Sequence, residues 1–83
     1  MEDKNMWYVV EEYKFKNGYT DQQEFEYPDE VSAIKAVVKH FNEIQCMFRK
    51  EFGCNIKRQQ TKIGKAMFKT NQGDDVLIYA VEM

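Results

Sequence analysis

The sequence predicts an α+β fold in two layers, ordered ββαββ, with a four-stranded sheet and one long helix (about residues 30–52) on one face. Three observations lead there. Apolar residues recur at helical spacing from Val31 to Phe52 with no Gly or Pro to interrupt them. The segments on either side are rich in β-branched and aromatic residues, the composition of strands. Asn17-Gly18 and Gln72-Gly73 punctuate those segments as hairpin loops do.

Met6 to Lys16 reads as the first strand and Tyr19 to Tyr27 as the second. A loop of residues 16–18, with Gly18 in the left-handed conformation, sets Phe15 opposite Tyr19, Val9 opposite Phe25 and Trp7 opposite Tyr27. Every large aromatic of the hairpin except Tyr8 then shares one face. A two-residue loop would split them, and a slip of one residue is costly wherever one face is buried.

Pro28-Asp29 ends the second strand and starts the helix, with Asp29 as its N-cap and Glu30 at the positive end of the helix dipole. Val31, Ile34, Val37, Val38, Phe41, Ile44, Phe48 and Phe52 form one stripe, and Gly53 is suited to the C-terminal cap. A helix of about 23 residues is roughly 35 Å long, enough to cover the sheet. Residues 54–61 are polar and read as a loop. Lys62 to Thr70 reads as the third strand, Asn71-Gln72-Gly73 as a turn like the first, and Asp75 to Val81 as the fourth strand. Met6–Val10 and Val76–Val81 are apolar on both faces, so the first and fourth strands belong side by side in the middle, with the second and third at the edges.

The 83 residues make one domain, 1–83, with one core. A hydrophobic share of 43% against 31% charged excludes disorder, and 14% aromatic residues point to a core of large side chains. No apolar run reaches the roughly 20 residues needed to span a bilayer, and the acidic Met1-Glu2-Asp3 start has the wrong charge for a signal peptide. Cys46 and Cys54 make no disulfide framework, so the expected setting is a reducing one, the cytoplasm. Net charge is −2 but unevenly spread: residues 1–30 balance at −6 and residues 31–70 at +7.

Chemistry-bearing patterns are sparse. His40 is the one histidine; at helical spacing its single companion is Glu43, and a packed or solvated helix histidine is the simpler reading. The cysteines are eight positions apart, too far along a helix for a disulfide, and are read as packing residues. No phosphate-binding loop, nucleophile elbow, metal-ligand set or cofactor motif is present, so no enzyme is expected.

Three surfaces remain. Glu11, Glu12, Asp21, Glu24 and Glu26 make the first hairpin acidic. Arg58, Lys62, Lys65 and Lys69 make the third strand basic, with Phe68 available for stacking on a nucleic acid; lysines also protect exposed sheet edges from aggregation. Met6, Tyr8 and Val10 face away from the helix, beside either Val76, Ile78 and Ala80 or Leu77, Tyr79 and Val81. One helix covers one face, so this apolar patch is left for a partner, unless residues 54–61 or the N-terminus fold over it. A homodimer through the sheet face is the simplest pairing.

These assets describe a non-enzymatic binding protein that occupies a surface of another macromolecule, its acidic hairpin set against a basic, nucleic-acid-binding groove. In size and absence of chemical motifs the chain is similar to small inhibitors encoded by phages and mobile elements, anti-CRISPR proteins among them, an analogy without a sequence match. The alternative is a nucleic-acid-binding module using Arg58, Lys62, Lys65 and Lys69.

Overall fold

Strands β1 (Trp7–Lys14) and β2 (Thr20–Tyr27) form an antiparallel hairpin in the register that the aromatic alternation requires, with Trp7 opposite Tyr27 and Val9 opposite Phe25. The Phe15 amide donates to the Tyr19 carbonyl at 2.8 Å, and Gly18 closes the turn at φ +88°. In this computed structural model residues 6–82 are described.

Helix α1 (Glu30–Glu51) follows directly. The Asp29 carboxylate accepts from the Ser32 amide at 2.8 Å, and that bond holds its carboxyl below the ordinary aspartate value. Ala33, Ala36, Val37, His40, Phe41, Ile44, Gln45 and Phe48 are buried. The buried face differs from the expected stripe, because Val31, Val38 and Phe52 are 61%, 59% and 49% exposed. Ala36 and His40 take their place, since the helix leans its His40 side against Phe25 and Tyr27 of the hairpin.

The second half corrects the expected strand count. Residues 56–62 are a strand, β3 (Ile56–Lys62), and the single strand expected over Lys62–Thr70 begins at β4 (Lys65–Thr70) after a turn at Ile63-Gly64, where Gly64 takes φ +75°. With β5 (Asp75–Glu82) the sheet has five antiparallel strands, ordered β2-β1-β5-β4-β3. β3 is exposed along its whole length after Ile56, so both of its faces are polar and no alternation marks it as a strand. β1 and β5 do lie side by side. β4 is an interior strand, so Lys65 and Lys69 are not edge residues; β2 and β3 are the edges.

The turn at Thr70–Asp74 repeats the first: Thr70 donates to the Asp74 carbonyl at 3.0 Å and Gly73 takes φ +96°. Pairing of β1 with β5 brings the two turns together. The buried Asp74 ties them, its Oδ1 accepting from the Lys16 amide at 3.0 Å and its Oδ2 from the Thr70 hydroxyl at 2.9 Å. Between helix and sheet, Val9, Val37, Phe48, Phe68, Val76 and Ile78 are fully enclosed, with Phe68 edge-on to Phe48 and Phe41.

Candidate interaction surface

Strand register decides which side chains leave the helix side. Val9, Glu11 and Tyr13 of β1 stand with Ala80, Ile78 and Val76 of β5 on the inner face, so Tyr8, Val10 and Glu12 stand with Val81, Tyr79 and Leu77 on the outer face. Of the two sets the sequence left open, the outward one is therefore Leu77, Tyr79 and Val81. On β4 the outward residues are Lys65, Met67 and Lys69, facing Lys62, Gln60 and Arg58 of β3. On β2 they are Glu24 and Glu26, opposite Val10 and Tyr8.

The outer face thus has three zones. Along β2 and β1 runs an acidic row of Glu12, Glu24 and Glu26. A central band holds Tyr8, Leu77, Tyr79, Val81 and Met67, all partly exposed, and no helix covers it among the described residues. Along β4 and β3 lie the four basic residues Arg58, Lys62, Lys65 and Lys69, with Arg58 opposite Lys69 and Lys62 opposite Lys65. Like charges directly across a ladder repel. One is relieved locally, since Lys69 Nζ lies 3.5 Å from Asp75. Val10 belongs to this face by register but is only 2% exposed, and Met6 lies partly buried just before β1. Residues 56–61 cannot roof the band, because they form the β3 edge; the N-terminal alternative falls on residues 1–5, outside those described.

The tyrosine hydroxyls are tied to the acidic row. Tyr79 donates to Glu12 at 2.8 Å, which raises the phenol's pKa above its ordinary value, and Tyr8 reaches Glu26 at 3.5 Å. These bonds join the central band to its acidic border.

The expected acidic cluster does not form as one surface. Glu11 is buried on the inner face, and Asp21 points to the helix side opposite Tyr13. Only Glu12, Glu24 and Glu26 share the outer face. Phe68 is fully buried and offers no stacking surface. Cys46 is exposed rather than packed, and Cys54 is buried; both are free thiols.

Glu11 has an internal role. Its Oε2 lies 2.6 Å from His40 Nδ1, its Oε1 accepts from the Tyr13 hydroxyl at 2.6 Å, and His40 Nε2 lies 2.9 Å from the Tyr27 hydroxyl. The companion of His40 is thus Glu11, not Glu43. Burial, and then the bond to Glu11, pushes the Tyr13 phenol well above its ordinary value. A carboxylate that orients an imidazole is a familiar arrangement for a general base. Here, however, the far nitrogen of the imidazole is occupied by Tyr27, and the chain of groups pins α1 to the first hairpin.

Among the described residues no group of three or more His, Cys, Asp or Glu side chains is placed to hold a metal ion, and no helix is long and apolar enough to cross a membrane. Compared with protein-family models, curated proteins and solved structures, the chain matches none.

Proposed function

We propose that this is a non-enzymatic binding protein that works by occupying a surface of another macromolecule, with the outer sheet face as its working surface. The observation that carries this reading is the partly exposed band of Tyr8, Leu77, Tyr79 and Val81, bordered by charge of opposite sign on its two sides. Apolar surface framed by charge is the anatomy of association sites. An inhibitor or adaptor, of the kind phages and mobile elements encode, would set Glu12, Glu24 and Glu26 against a basic groove of its target. Affinity capture from a host lysate tests it. Wild-type bait should retain a partner that both Leu77→Glu and Glu24→Lys/Glu26→Lys release, while the helix-face change Lys39→Glu retains it. Equal capture by all four baits would defeat the reading.

A second reading draws on one further observation, that Arg58, Lys62, Lys65 and Lys69 share a face in two like-charge cross-strand pairs. Nearby phosphates would relieve that repulsion. Glu12, Glu24 and Glu26 on the same face oppose it, so the protein-binding reading stands first. A gel shift at about 0.05 M and 0.2 M salt separates the two, because phosphate contacts lose most of their affinity over that range. The expected result is no shift.

A further inference from the structure

The outer face carries its own complement. Acidic Glu24 and Glu26 lie on the β2 edge, basic Arg58 and Lys62 on the β3 edge, and Lys65 on the strand next to it, with the apolar band between. We propose that the first occupant of this face is a second copy of the chain, related by a two-fold axis parallel to the strands. This rests on the reading of the outer face as an association surface and names the partner.

Two sheets can meet face to face about a two-fold axis lying in the contact plane, and the charge layout selects its direction. An axis across the strands sets β2 on β2 of the other copy, acid against acid, and β3 on β3. An axis along the strands exchanges left for right. Each copy's Glu24 then faces the other copy's Lys62, which shares its level along the strands, with Lys65 one strand inward and Glu26 at the next outward position of β2. The contact occurs twice by symmetry, while the apolar bands meet on the axis. Aligned sheets pack with their strands within about 30° of one another, which this axis permits.

Area and satisfaction of polar groups agree. Five strands at a spacing of about 4.8 Å, each of about eight residues rising about 3.3 Å, give a face of roughly 600 Å². Two such faces bury about 1,200 Å² in total, the lower bound for a specific interface, so the dimer is expected to be concentration-dependent. The Tyr79 hydroxyl already donates to Glu12, so its burial leaves no orphaned donor. A foreign target of the same face must displace the second copy, which makes self-pairing a control on target binding.

Light scattering on the full chain tests this. Wild type at high micromolar concentration should weigh about twice the 9.9 kDa chain mass and return towards the single mass on dilution. Glu24→Lys/Glu26→Lys, basic at both edges, should be monomeric. Lys62→Glu/Lys65→Glu, acidic at both edges, should be monomeric too. Mixed in equal amounts they should regain the double mass, because each edge again meets its opposite. Circular dichroism confirms that both variants are folded; a variant that fails to fold is replaced by its single substitution. The neutral Glu24→Gln/Glu26→Gln should weaken the dimer; a tighter dimer would indicate the other axis and overturn the proposal. A wild type that stays monomeric at every concentration would also overturn it. That result leaves the capture experiment with Leu77→Glu as the independent test of the face.

Discussion

His40 Nδ1 lies 2.6 Å from Glu11 Oε2, joining the middle of α1 to β1 across 29 positions of sequence. Both residues are buried, at 9% and 5% exposure, in a layer that is mainly hydrocarbon and aromatic. The pair survives there because each polar atom has a partner: Tyr13 bonds the second carboxylate oxygen and Tyr27 the second imidazole nitrogen.

Removing one partner should therefore cost more than removing both. Glu11→Leu alone, or His40→Leu alone, leaves the other group buried without its mate, and each is expected to lose about 1–3 kcal/mol. The double variant should lose clearly less than the sum of the two. Urea unfolding of the four proteins measures this coupling, and additive losses would show that the pair is not energetically linked.

Tyr13 predicts the alkaline limit of stability. Its phenol is raised in the fold by burial and by Glu11, so the folded chain holds that proton where the unfolded chain has released it. The stabilisation is fully present below the unfolded tyrosine value of about 10 and is lost as pH rises above it. Tyr13→Phe should be less stable near neutral pH, through loss of the bond to Glu11, but its stability should fall less between pH 9 and pH 11. Thermal melts across that range read the difference in slope.

Phe41 and Lys39 test the helix face. Phe41 packs edge-on to Phe68 at 5.9 Å and is 5% exposed, whereas Lys39 is exposed. Phe41→Ala should cost about 3–5 kcal/mol, enough to unfold much of a domain this size, and Lys39→Ala should fall within about 0.5 kcal/mol of wild type. Denaturant midpoints distinguish them.

Asp74 should act as a clasp between the two hairpins. Asp74→Ala releases the Lys16 amide and the Thr70 hydroxyl together, and the expected loss is about 1–3 kcal/mol for two donors left without their acceptor. Amide exchange at Lys16 and Gly73 should accelerate before that of Val9 or Ile78, because the turns open while the core stays closed.

Elements whose burial leaves a period were legible in the chain. The first hairpin was legible to the register, because Trp7, Val9, Phe25 and Tyr27 alternate on one buried face and Asn17-Gly18 limits the loop. The helix was legible from its cap at Asp29 to its end near Phe52. β3 was not, since a strand exposed on both faces has no alternation to read; what makes it a strand is the free edge of β4, which only the assembled sheet supplies. The charge blocks of the candidate surface were visible as runs in the chain, but their sharing of one face follows from pairing β1 with β5 and β4 with β3. The same pairing turned Glu11 inward while Glu12 stayed outside. Neighbouring positions on a strand look alike as letters and are separated by the thickness of the sheet, so strand pairing settled which carboxylate stands on the outer face and which meets His40.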